Sequence, residues 1–91
     1  MNIEDNFIFR KKDRVIERLG EELLLFDSSK GILFEVNETG KTILIMLDGK
    51  HTVENIKDQL RKEFYEVGEI DKDISDFLNE LLEMDIIEKL E

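Results

Sequence analysis

Ninety-one residues leave room for one domain with a single modest core, and folding at this length hides roughly 60–65 % of the unfolded chain's surface. Hydrophobic residues at 41% of the chain, six Phe among them, supply that core; there is no Cys for a disulfide or thiolate metal site, and no run nears the roughly 18–20 apolar residues of a membrane span. Thirteen basic against twenty-three acidic residues give a net charge of −10, which argues against nucleic acid as partner and favours a basic peptide or protein surface.

The chain opens without the basic n-region of a signal peptide, so the cytoplasm is the expected compartment. Residues 1–13 mix Asn, Asp, Phe and the basic run Arg10-Lys11-Lys12 without a clear period and read as an N-terminal arm ahead of a single domain over 14–91. From 14 to 36 the pattern is β. Residues 14–19 are rich in β-branched side chains and end at Gly20-Glu21, a two-residue hairpin turn. Residues 23–26 are apolar on both faces, as a central strand is. The turn residues of 27–31, with Gly31 free to take positive φ, lead into a third predicted strand over 32–36. Its alternation sets Ile32, Phe34 and Val36 on one face and Leu33 and Glu35 on the other.

At Asn37 the period changes. Asn37 is a good N-cap, Glu38 suits the positive end of a helix dipole, and the predicted helix runs to about Leu47 before Asp48-Gly49 stops it. Thr52 caps a second helix whose Val53, Ile56, Leu60 and Phe64 share a face, and Gly68 ends it. Asp71 or Asp73 opens a third, with Ile74, Phe77, Leu78 and Leu81 on its core face; residues 85–88 leave it as an extended tail. The sum is an α+β, winged helix-turn-helix-like fold: a three-stranded antiparallel sheet followed by three helices.

Candidate chemistry is sparse. His51 is the single His and sits beside the Thr52 cap as a solvated turn residue, with no Ser, Cys or second ligand implied. Asp71-Lys72-Asp73 lacks the Gly and distal Glu of a calcium loop, and Gly40-Lys41-Thr42 lacks the earlier Gly of a phosphate loop. No catalytic residue, metal ligand or cofactor is assigned, and the chain is read as a non-enzyme. A helix-turn-helix use of the last two helices would aim Asp73, Asp76, Glu80 and Glu83 at phosphates with the wrong sign. The third helix has an apolar arc wider than one neighbour requires, rimmed by Asp73, Asp76 and Glu80. Beside an edge strand over 32–36 this is a groove to which an extended peptide can add as a strand.

The ordered set Val36-Asn37-Glu38-Thr39-Gly40, Leu47-Asp48-Gly49, Thr52-Val53-Glu54-Asn55-Ile56, Phe64-Tyr65 and Phe77-Leu78-Asn79-Glu80-Leu81 resembles the PqqD-like family, also called RiPP recognition elements, over about residues 14–88. Two positions depart from the family pattern: Val36 where Leu is usual, and Asp85 where Gly is common. The resemblance implies a non-catalytic chaperone for the leader peptide of a ribosomally made precursor. It would deliver the precursor to a modifying enzyme: a radical SAM enzyme, a lasso-type peptidase or a cyclodehydratase. It also implies that the leader pairs with the backbone of 32–36 and lies against the third helix. By position, Phe34 or Leu33, with Phe77 and Leu81, would then form apolar pockets, and Asp73, Asp76 and Glu80 would meet basic leader residues. Two other readings stay open: an acidic winged-helix transcriptional regulator, and a homodimerisation module whose exposed edge pairs with its own copy.

Overall fold

The computed structural model describes residues 1–20, 23–64 and 69–90. The elements are β1 (Ile8–Lys11), β2 (Val15–Leu19), β3 (Leu23–Asp27), β4 (Ile32–Val36), α1 (Glu38–Met46), β5 (Asp48–Thr52), α2 (Val53–Glu63), α3 (Ile70–Glu83) and β6 (Ile87–Leu90). The fold is α+β: two antiparallel sheets, ordered β2-β3-β4 and β5-β1-β6, with three helices. The turn expected at Gly20-Glu21 lies partly outside the described residues, and the helix break at Gly68 wholly so.

The β2-β3-β4 meander follows the sequence pattern closely. β3 is the central strand, with Leu23 and Leu25 fully buried, and it pairs in register from Leu23↔Val36 to Asp27↔Ile32. Gly31 takes φ 66° at the β3–β4 turn, in the left-handed region glycine enters freely. Asp27 is 2% exposed and organises that turn, accepting from the Ser29 N–H at 3.0 Å, the Ser29 hydroxyl at 2.8 Å and the Arg14 guanidinium at 3.2 Å. Burial opposes the charge, but these donors hold the carboxyl below its ordinary pKa.

The other sheet corrects the reading of both ends of the chain. The stretch expected as an arm supplies β1, the central strand, with Phe9 1% exposed; the stretch expected as a tail supplies β6, paired Ile8↔Leu90 to Lys11↔Ile87. Asp48-Gly49, expected only to stop a helix, begins β5, so His51 lies on a strand, its Nδ1 3.0 Å from the Asp48 carboxylate. These three strands are short, polar on one side and far apart in sequence. Nothing local in any of them announces a partner. Further ties fix the first residues: the Val53 and Glu54 amides donate to the Phe7 and Asp5 carbonyls, and buried Lys57 reaches the Asp5 carboxylate at 2.6 Å and Asp71 at 3.3 Å.

α1 and α2 start where their caps place them; α3, expected to open at Asp71 or Asp73, begins earlier, at Ile70 behind Glu69, which makes no side-chain cap bond. Asn37 accepts from the Gly40 N–H at 2.8 Å, and Thr52 and Asn55 close a reciprocal capping box. α3 ends in a Schellman motif: the Ile86 N–H reaches the Leu81 carbonyl and the Asp85 N–H the Leu82 carbonyl, with Asp85 at φ 60°. Asp therefore holds the left-handed position that Gly commonly fills in the resembled family, and the extended tail still leaves the helix cleanly. Among the described residues no helix is long and apolar enough to cross a membrane.

Candidate functional site

β4 has one hydrogen-bonded neighbour, β3, among the described residues, so its other edge carries unpaired backbone donors and acceptors. Next to it opens a cleft of about 390 Å³ between the end of β4, the first turn of α1 and the N-terminal half of α3, with Leu60 of α2 contributing to its lining. Val36, Ile43, Leu60, Ile70, Ile74 and Phe77 make its apolar surface; Glu35, Asn37, Thr39 and Asp73 are its polar members.

Gly40 explains how α1 can come so near. It is buried, and a Cβ added there would stand 3.2 Å from Val36 Cβ, 3.3 Å from the capping Asn37 Oδ1 and 3.5 Å from Phe77 Cζ. A larger residue would press on the cap and the cleft wall together. Thr39-Gly40 is thus a packing device as well as the opening of a helix.

The walls are held in place at the far end of α3. Lys12 and Arg14, from the β1–β2 connection, both engage the Asp85 carboxylate, and Arg14 also pairs with Asp27. Lys30, at the β3–β4 turn, donates to the Met84 carbonyl at 2.6 Å. Cations at a helix C-terminus complement its dipole. Here they also tie the meander to α3, which fixes how far β4 stands from that helix. The Lys12 and Arg14 bonds outweigh desolvation and hold Asp85 below its ordinary pKa.

Of the residues expected to bind peptide, Glu35, Val36, Asp73 and Phe77 border the cleft. Ile32 and Phe34 lie in β4, their backbones paired with Asp27 and Leu25. Leu33 is 62% exposed on the sheet's outer face, next to Phe26. Leu81 is 1% exposed, in the core, and does not border the cleft. Asp76 and Glu80 are exposed further along α3; Asp76 is 3.9 Å from Lys72, and neither borders the cleft. Sequence reasoning did not place Gly40, Ile43, Leu60 and Ile70 at the site. Ile43 and Leu60 read only as generic core positions, and Gly40 as part of a motif.

A family model described as coenzyme PQQ synthesis protein D (PqqD) matches residues 22–87, more than two-thirds of the chain, from β3 to the start of β6. No curated protein and no solved structure matches the chain.

Proposed function

Because the chain belongs to the PqqD family, we propose that it is a non-catalytic chaperone for the leader peptide of a ribosomally synthesised precursor. The leader adds as an antiparallel strand to β4, lies in the cleft against α3 and is presented to a modifying enzyme or leader peptidase. That enzyme is a radical SAM enzyme, a lasso-type peptidase or a cyclodehydratase. It performs the reaction and brings any cofactor.

One observation carries this reading: the open edge of β4 runs into an apolar cleft whose opposite wall is α3. Strand addition gives affinity through main-chain bonds whatever the sequence, and side-chain pockets beside the edge give selectivity. The pocket made by Val36, Ile74 and Phe77 suits one apolar leader side chain. Glu35 and Asp73 at the same cleft, with Asp76 and Glu80 further along the helix, suit basic residues nearby. The chain's net charge of −10 speeds encounter with a basic leader and slows encounter with an acidic one.

Titration of ¹⁵N-labelled protein with synthetic leader peptides, taken from any short precursor gene found beside its own, tests this. Saturable amide shifts are expected at residues 32–36 and along 70–77. Saturation without shifts in 32–36 would remove the docking edge from the proposal.

A further inference from the structure

Two faces of α1 line two separate hollows. Thr39, Gly40 and Ile43 border the leader cleft; Thr42, Ile45 and Met46, roughly a third of a turn round the helix, border a second pocket of about 280 Å³ against β5 and α2. The two share no lining residue. Ile45 and Met46 form the apolar side of the second pocket, and Ile45 is 47% exposed. His51 lines it from β5, its Nδ1 already engaged by the Asp48 carboxylate. Glu63 is gripped from two elements: the Gln59 amide donates to Oε1 and the Thr42 hydroxyl to Oε2, each at 2.8 Å. These bonds outweigh desolvation and hold the carboxyl below its ordinary pKa. Both donors are neutral, and Glu63 forms an ion pair with no described residue. A carboxylate oxygen has two lone pairs, so each oxygen of Glu63 keeps one for a further donor.

We propose that this pocket is a docking site for an arginine side chain of the modifying enzyme, filled while the leader occupies its own cleft. The inference rests on the reading of the chain as a leader-presenting chaperone, and names where the second partner is held. The guanidinium donates to the two free lone pairs of Glu63, one on each oxygen, and the aliphatic stem lies over Ile45 and Met46.

Charge and shape select the occupant. An unneutralised carboxylate on a chain of net charge −10 calls for a cation. Two oriented oxygens suit the planar fork of arginine, whereas the ammonium of lysine is a point charge that uses one of them at a time. The volume lies just under the ~300 Å³ at which small-molecule pockets begin, so it takes one side chain rather than a free metabolite. The carrier follows from position. A leader strand that lies along β4 and α3 does not cross α1 to this pocket, while an enzyme that receives the leader must hold the chaperone without displacing it. A site on a different face of the same helix meets both needs.

NMR titration of the full chain with N-acetyl-arginine methylamide tests it, with the lysine and citrulline analogues as controls. Saturable shifts are expected at the Ile45 and Met46 methyl groups and the Thr42, Gln59 and Glu63 amides. Lysine should bind several-fold more weakly, and citrulline, a neutral isostere, should not saturate. Glu63→Gln should weaken the arginine probe about tenfold with an unchanged melting curve. The same variant should bind leader like the parent, and bind a modifying enzyme encoded beside its own gene about tenfold less tightly. Shifts spread over the acidic surface without saturation, citrulline binding equal to arginine, or a Glu63→Gln chain that binds probe or enzyme like the parent would each overturn the proposal. So would a leader peptide that moves the Ile45 and Met46 methyl signals, since the pocket would then belong to the leader. The probe titration contains no leader, so this pocket and the β4 cleft fail separately.

Discussion

The two sheets solve the same problem in opposite ways. A sheet edge invites any stray strand, and proteins blunt it with charge. In β5-β1-β6 both edges are defended: β5 carries Asp48, Lys50 and His51, and β6 carries Glu88 and Lys89. Its central strand is pinned from several directions, with Arg10 on Glu88 at 2.7 Å and Lys11 on the Leu44 carbonyl. In β2-β3-β4 the edge strand β4 has Glu35 as its single charge among four apolar residues, and a cleft waits beside it. One sheet joins the chain's ends into the core; the other keeps a margin for use. On the proposed function, stability and binding fall to different sheets.

The sharpest way to break that division is to attack the sealed sheet. Phe9 fills the core from β1, and Phe9→Ala should cost about 3–5 kcal/mol, a large part of the roughly 5–14 kcal/mol available to a domain of this size. Deleting residues 1–11 should leave a chain that does not fold cooperatively, as followed by urea denaturation. A truncated protein that melts like the parent would mean that the first residues are an arm after all.

The open sheet should respond in function before stability. In an antiparallel pair, adjacent residues alternately direct their N–H groups to the neighbour and away from it. Of Phe34→Pro and Glu35→Pro, one therefore breaks a β3–β4 bond and the other removes an outward donor. The variant that keeps the parent's melting curve should bind leader about tenfold or more weakly, the loss of roughly 1.4 kcal/mol or more in main-chain bonding and fit. Parent-like affinity in that folded variant would dissociate the cleft from strand addition.

How much of this could be read from sequence follows the same division. The meander, α1, α2 and α3 rest on local signals: alternation over 32–36, the caps at Asn37 and Thr52, and the 3.6-residue period of Ile74, Leu78 and Leu81. The sealed sheet unites residues 8–11, 48–52 and 87–90, and its pairing is decided by tertiary packing. Arg10 and Lys11 read as a basic run within an arm because their partners, Glu88 and the Leu44 carbonyl, come from elsewhere in the chain. At the site the strand and the Asp73–Phe77 wall were legible. The floor was not, because Gly40 acts through what it omits. Leu81, read on the helix's core face and also as a wall of the leader pocket, serves only the core, because a helical arc does not say which of its apolar members the core claims.

Acid should sharpen the contrast by loosening the joint between meander and α3. Asp27 and Asp85 are held below their ordinary pKa, so each adds stability above the unfolded carboxylate range that is lost as pH falls through the folded value. The urea midpoint should therefore decline from about pH 5 downward, toward pH 2. In Asp27→Asn that decline should be shallower from a lower starting midpoint. An equally steep decline would place the acid-labile groups elsewhere.

The smallest expected effect tests the joint at one residue. Asp85 sits at φ 60°, where an L side chain is disfavoured and glycine is not, yet its carboxylate receives Lys12 and Arg14. Asp85→Gly relieves the backbone and removes both ionic contacts, two changes of opposite sign, so its melting midpoint should stay close to the parent's. Asp85→Ala keeps the backbone cost and loses the contacts, and should melt lower than either. Leader affinity should fall modestly in both, because the contacts that are lost set the spacing of β4 from α3. Were Asp85→Gly to melt lower than Asp85→Ala, backbone relief would count for nothing and the Schellman turn would be held by the ion pairs alone.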